Sequence, residues 1–345
     1  MKVIKQVVGI DVSKDSLELQ FKESNSSGLK IKGSTKFSNT TKGFELFLAW
    51  CNKREKTENL FYVLEATGIY HENLLYFLHS NGKKVCVELP QRIKYFAKSK
   101  GVKTKNDKID SGVIADYGIE RDLRTWEPPS KEFKLLRDLS REHNTLKEAK
   151  AAAWNRLHAA SHSHEKNQSV IDRLQAQILF YESQLDDTEK DMKTTIKKDK
   201  QLYNKIKKIE TIKGVRMLTI VKVIAETGGF YLFNNINQLI SYAGLDVIEN
   251  QSGKHNGKTR ISKKGNSNLR TALYMSALSA IRYDKKMNAF NKRIMESHHY
   301  KKQGIVAVMR KLLIIIYTLW KKDEEYNPNY IWEKTKKTNQ NVISQ

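Results

Sequence analysis

From Lys131 to Ile212 the chain contains neither proline nor glycine. No φ-fixing residue and no left-handed hinge interrupts this stretch, so helix is its natural state wherever apolar residues recur every three or four positions. They do: Leu135, Leu139, Leu146, Leu157, Ile171, Leu174, Ile178 and Leu185 form a stripe. The pattern predicts two long helices in an antiparallel coiled-coil hairpin that turns near SHSHEKNQ. It serves either as a spacer or as a dimerisation arm. Everything else must fold before it or after it. The 345 residues therefore divide into a domain over 1–128, the helical segment 129–205, a second helical domain over 206–332 and a polar tail, 333–345.

The first domain alternates strands and helices. QVVGIDVS reads as a buried strand, LELQFKE and LKIKGSTKF as two more joined by SNSSG, and together they make an antiparallel meander. TKGFELFLAWCNKR has helical spacing, with Thr41 as its N-cap. LFYVLEA is a fourth strand, GIYHENLLYFLHSNG a helix stopped at Asn81-Gly82, and KKVCVELP a fifth strand. A last helix begins in NDKIDSGVIADYG. The order βββ-α-β-α-β-α is that of the ribonuclease H-like fold, in which the first and fourth strands are neighbours. The predicted class is thus α/β plus all-α.

That fold assembles four acids. Asp11 lies on the first strand and Glu65 ends the fourth, while Asp107 and Asp110, three apart, share a face at a helix start. Hard oxygen donors in such a group suit Mg²⁺ or Mn²⁺, and two such ions about 4 Å apart would stabilise the entering and leaving oxygens of a phosphodiester displacement. Taken singly, Asp107 is equally a helix-dipole partner and Asp110 a solvated surface acid.

The charge says what carries the phosphates. Lys plus Arg number 62 against 38 Asp plus Glu, a net charge of +24, which points to a polyanion as partner. Residues 1–125 hold 22 basic and 15 acidic groups, so most of the excess belongs to the rest of the chain. Cys51 and Cys86 form no CxxC pair, which argues against a zinc ribbon and for a reducing compartment. MKVIKQVVGI is too short and too soon charged for a signal peptide. GIVAVMRKLLIIIYTLW is broken by Arg310 and Lys311 and reads as a buried helix, with no membrane partner. The expected location is the cytoplasm.

Two further segments carry candidate contacts. IKGVRMLTIVKVIAE reads as a helix-hairpin-helix in which Lys213 and Gly214 form the hairpin and backbone N–H groups hold a phosphate. It reads equally as a plain turn with a glycine cap. From Asn250 to Tyr283 there are seven Lys or Arg and no acid. Gly253, Gly257 and Gly265 make the first part a flexible loop, with Ser252 beside Lys254, Lys258, Arg260, Lys263 and Lys264, and Arg270 beyond. A glycine-flanked hydroxyl in a basic loop meets the needs of a nucleophile on phosphorus. It also meets those of one more phosphate-gripping donor. His158, His162 and His164 read as a solvated helix face. Tyr70, Tyr95, Phe96 and Trp126 are stacking candidates, most of them more naturally core.

With Gly9–Lys14 (GIDVSK), Glu65–Gly68 (EATG), Asp107–Asp110 (DKID), Ala243–Leu245 (AGL), Ser252-Gly253 and Ile261–Arg270 in this order, the chain resembles the DEDD-type insertion-sequence transposases with a RuvC-like N-terminal domain, a group that includes the pilin-gene DNA invertases. The resemblance spans roughly residues 5–325. It implies a recombinase that moves or inverts double-stranded DNA, donor and target. It implies that Asp11, Glu65, Asp107 and Asp110 bind Mg²⁺, and that Ser252 attacks DNA to form a phosphoserine. It further implies a structured guide RNA, dimers joining into tetramers in which one protomer's serine completes another's carboxylate site, and work at the bacterial nucleoid. Many relatives have proline after AGL and two serines before the glycine. Here AGLDVIENQSG offers Ser252 alone. A RuvC-like junction-cutting nuclease using water, and a non-catalytic nucleic-acid-binding protein, are the competing readings.

Overall fold

A computed structural model describes residues 3–328, apart from 67, 105, 232, 234, 250, 253, 254, 257–259 and 297–300. The chain divides into two compact units at Pro128/Pro129.

The first unit is built on a five-stranded sheet. β1 (Val3–Val12), β2 (Ser16–Asn25) and β3 (Gly28–Ser38) form the antiparallel meander, and β4 (Leu60–Glu65) and β5 (Lys84–Glu88) add in parallel beside β1. The strand order β3-β2-β1-β4-β5 makes the first and fourth strands neighbours, as in a ribonuclease H-like sheet. Period-two alternation splits the side chains between two faces. On one face Val8, Ile10, Leu19, Phe21, Tyr62 and Leu64 pack against α1 (Thr41–Asn52) and α2 (Glu72–Ser80) through Phe44, Phe47, Leu74 and Leu78. On the other, Val7, Val63 and Cys86 meet α3 (Pro90–Ser99) and α4 (Asp107–Glu120). Each fully buried Leu or Phe contributes about 1.5–3 kcal/mol relative to exposure.

Two local expectations need correction. The cap of α1 is Thr40, whose hydroxyl accepts from the Gly43 N–H, and Thr41 is the first helical residue. Helix α3 was missed in the sequence. Proline at its start pre-sets the helical φ, but three basic residues conceal the pair Ile93 and Phe96 that it buries. Cys51 and Cys86 are both free and buried, and burial pushes the Cys86 thiol up to about 12.

The second unit is helical. α5 (Lys131–Ser161) and α6 (Gln168–Lys198) are 31 residues each, and the His143–Glu189 hydrogen bond and the Lys150–Glu182 ion pair fix them as antiparallel partners. Their inner ends are not a separate element. Leu136, Met192 and Ile196 share one core with α7 (Lys200–Glu210), α8 (Met217–Thr227), α9 (Ile236–Ala243), α10 (Ser267–Tyr283), α11 (Lys285–Glu296) and α12 (Lys301–Lys322). α12 is long and apolar enough to cross a membrane, longer than the sequence suggested. Its Val308, Leu312, Leu313 and Ile316 are fully buried in that core. Between α9 and α10 the described residues include short strands. Four two-residue strands, β6 (Val247–Ile248), β7 (Gln251–Ser252), β8 (His255–Asn256) and β9 (Arg260–Ile261), pair as β6–β9 and β7–β8.

Candidate active site

The carboxylates of the first unit are placed by strand register. β1 and β4 pair in parallel up to Ile10 and Leu64, so the next residues, Asp11 and Glu65, are neighbours about 4.8 Å apart across the strands. Asp11 follows Val7 and Gly9 on the face toward α4, and Glu65 follows Val63 there. Helix α4 runs antiparallel to β1. Its small residues Ser111, Gly112, Ala115 and Gly118 let it lie close to the sheet. A Cβ on Gly118 would meet Val7 and Val63, whereas a Cβ on Gly9 would stand 2.2 Å from the Ser111 carbonyl oxygen and 2.4 Å from the Ala115 nitrogen. Going back along α4 therefore means going forward along β1. The helix start, capped by Asn106 accepting from the Ile109 N–H, brings Asp107 and Asp110 toward the Asp11 end. Among the described residues no three His, Cys, Asp or Glu stand close enough together to hold a metal ion. The four acids share one end of the sheet without closing into a coordination sphere.

The same register adds residues that the sequence did not single out. Glu18 is opposite Asp11, and Lys36 is opposite Glu18. Glu88 is opposite Glu65. One level of the sheet thus reads Lys36, Glu18, Asp11, Glu65, Glu88. Lys36 Nζ lies 2.9 Å from Glu18, and Arg92 Nη1 lies 3.2 Å from Glu88. The Lys36 ammonium is held above its usual range by its hydrogen bond to Glu18, with the Glu18 and Asp107 charges adding. Counting register out from Asp11 through the β1–β2 turn is the signal that finds Glu18. Lys36 and Glu88 need a second pairing, which only the assembled sheet supplies.

In the second unit Ser252 is exposed on β7, across from His255. Gly253, Lys254, Lys258 and Gly257 lie outside the described residues. Arg260, Lys263 and Lys264 are exposed. Arg270 is not aimed outward: its Nη1 donates to the carbonyls of Ala243, Gly265 and Asn266. It fastens the AGL segment to the foot of the loop. A Cβ on Gly265 would stand 2.4 Å from the Tyr242 carbonyl, which explains the glycine. Gly214 turns the α7–α8 hairpin at φ +89 and lies so close to α10 that a Cβ would meet the Ala280 nitrogen at 2.4 Å. Lys213 is exposed. The Met217 N–H at the start of α8 donates to Glu210, so one of the N–H groups a phosphate would use is occupied.

Beneath the loop is a buried acid that the sequence hid inside MLTIVKVIAET. Glu226 takes a two-pronged contact from Arg141, Nε to Oε1 at 2.8 Å and Nη2 to Oε2 at 3.0 Å. Asn266, the cap of α10, and Asn268 donate to the same carboxylate. Burial alone would push this carboxyl up, but the hydrogen bonds from Arg141 and Asn266 and the Arg141 and Arg137 charges outweigh it and hold it below its usual range. Of the aromatics, Phe96 is core, Tyr70 and Tyr95 are exposed, and Trp126 packs edge-on against Tyr76. His158 and His162 stack at 4.2 Å on an exposed stretch.

Comparison with known proteins decides the family. Residues 8–164 match the DEDD transposase family of the IS110 type, and residues 206–292 match the family described as Transposase IS116/IS110/IS902. The pilin gene-inverting protein of Moraxella bovis is 30% identical over 332 residues, covering 94% of this chain and 98% of that protein. The chain belongs to the IS110 family of transposases. It is thus an enzyme that cuts and rejoins DNA. The transposase of insertion element IS1111A from Coxiella burnetii is 24% identical over 268 residues, covering 69% of this transposase and 71% of that one. Among solved structures, T. thermophilus RuvC in complex with a Holliday junction covers 36% of this chain and all of its own at 12% identity. Its TM-score of 0.28 is too low to add to the fold assignment.

Proposed function

We propose that this transposase excises, inserts or inverts DNA of a bacterial mobile element through a covalent phosphoserine intermediate. Asp11, Glu65, Asp107 and Asp110 would hold Mg²⁺ or Mn²⁺. Their chemistry fits a hard cation, and like charges brought close together repel, so the side chains are expected to draw in further around the ion. When bound, the metal supplies charge neutralisation at the phosphorus and its oxygens.

Ser252 is the nucleophile. Its Oγ forms a bond to phosphorus, the P–O bond to one deoxyribose oxygen breaks, and that oxygen leaves with a proton as the free hydroxyl. Reversal onto another strand end rejoins the DNA. The exposed Lys263, Lys264 and Arg260 are the phosphate contacts around it. Lys254 and Lys258 join them by sequence, and Lys213 with Gly214 forms a helix-hairpin-helix backbone contact. Arg270 contributes by holding the loop's foot. A structured RNA directs the choice of site. The protein works as a dimer of dimers, its coiled-coil hairpin α5–α6 bearing exposed Trp154, Leu179 and Phe180.

The observation that carries this reading is the register that sets Asp11 beside Glu65 with the start of α4 running toward them, together with an exposed serine on a basic hairpin. The test is denaturing gel analysis of the full protein incubated with Mg²⁺ and a plasmid carrying the gene and its flanks. A protein–DNA adduct that disappears in Ser252→Ala, and in Asp11→Asn, is the expected result. Strand breakage that persists in Ser252→Ala without an adduct would make the enzyme a water-using nuclease instead.

A further inference from the structure

The carboxylate end of the sheet has cations at both margins. Lys36 and Arg92 have exposed side chains, 56% and 63% accessible, and each rests on a better-buried glutamate, Glu18 at 21% and Glu88 at 11%. Neither glutamate is among the four acids at the centre. In the sheet Glu18 stands between Lys36 and Asp11, and Glu88 lies beside Glu65 with Arg92 on it.

We propose that Lys36 and Arg92 are the backbone-phosphate contacts of this site, gripping the DNA strand on the two sides of the phosphate being cut. The proposal rests on the carboxylate reading above. Spacing supports it. β3 lies two strands from β1, about 10 Å across the sheet. A DNA strand advances about 3.4 Å along its axis per phosphate, so a strand centred over Asp11 and Glu65 passes Lys36 about three or four nucleotides away. Arg92 is nearer on the opposite side, one strand beyond Glu65 plus its own reach from α3. Chemistry supports it too. The cation of each pair is open to solvent, where ion pairs are weak and screened, so each can exchange its glutamate for a phosphate. A planar guanidinium on one side suits two-pronged contact, and a mobile ammonium on the other suits a point charge.

A purely structural salt bridge and a resting place for a phosphate-binding cation give opposite results when the acid is removed. The measurement is the salt dependence of the full-length protein's affinity for a random-sequence DNA duplex in Ca²⁺, with thermal melting to establish folding. Lys36→Ala and Arg92→Ala are each expected to lower the slope of log affinity against log salt by about 0.9, the loss of one phosphate contact. Lys36→Arg should restore it. Glu18→Gln and Glu88→Gln should bind as well as the parent or more tightly, since they free the cation. Equal weakening by Lys36→Ala and Glu18→Gln, or an unchanged slope in Lys36→Ala, would overturn the proposal. Asp11→Asn separates the two levels. If it removes the Ca²⁺-dependent part of binding while Lys36→Ala changes nothing, only the phosphate contacts fail. If Ca²⁺ dependence survives in Asp11→Asn, the carboxylate reading fails and takes these contacts with it.

Discussion

Replacing Gly9 by alanine tests the geometry on which the carboxylate site depends. The added Cβ would stand 2.2 Å from the Ser111 carbonyl oxygen, 2.4 Å from the Ala115 nitrogen and 2.8 Å from the Ala115 Cβ. Two of these are backbone atoms, so no rotamer change relieves the contact, and α4 must move off β1. Overpacking of this kind costs about 1–3 kcal/mol and sometimes more, while the loss of glycine's freedom in the unfolded chain returns roughly 0.4–1 kcal/mol. A net loss of about 2 kcal/mol is expected. At roughly 4 °C per kcal/mol for a unit of this size, the first unit should melt about 8 °C lower. Strand cleavage should fall much further than folding, because the same movement carries Asp107 and Asp110 away from Asp11. Gly112→Ala is the internal control. Its Cβ would meet only the end of the Gln20 side chain, at 2.9 Å, and alanine is the better helix former by about 1 kcal/mol, so stability should hold. Calorimetry and plasmid cleavage on both variants are the assays. A Gly9→Ala protein with parental melting and parental cleavage would mean that α4 does not lie against β1 there, and the convergence of the four acids would lose its support.

Other consequences are as concrete. Glu226→Ala removes the acceptor of the half-exposed Arg141 guanidinium and uncouples Asn266, so a loss of about 1–3 kcal/mol is expected by denaturant titration. The folded-state value of Glu226 lies below the usual carboxylate range. Its contribution is therefore complete above the unfolded-state value and disappears as pH falls through the folded one, and Glu226→Gln should melt with a flatter acid limb. Lys222 donates to His143 and Asn144, and burial, with the Lys147 charge adding, lowers it to about 8. The unfolded chain then holds more protons than the folded one between about pH 8 and the ordinary lysine value, so stability should rise with pH across that window. Lys222→Met should remove the rise, seen in melting curves taken at stepped pH.

Much of the fold was legible because it follows from apolar periodicity. The runs QVVGIDVS and LFYVLEA could only be buried strands, and their adjacency followed from the order of elements. The long helices followed from the absence of proline and glycine. What stayed hidden has a physical cause in each case. α3 buries only Ile93 and Phe96, too few to stand out from its lysines and arginines. Glu18 and Glu88 look like ordinary surface acids until strand pairing sets them level with Asp11 and Glu65. Arg270 sits in a basic run and resembles a nucleic-acid contact, yet carbonyl oxygens created by the left-handed turn at Gly244 claim it. Glu226 reads as an interruption of an apolar helix, because the arginine that neutralises it is 85 positions earlier in the chain.

That last pairing has a mechanical corollary. One carboxylate is gripped both by Arg141, a third of the way along α5, and by Asn266, the cap of α10. About 20 residues, some 30 Å of helix, run from Arg141 to the tip of α5. The arm is thus rooted at its inner end: a pull on its far end reaches the start of α10 through the clamp at Glu226.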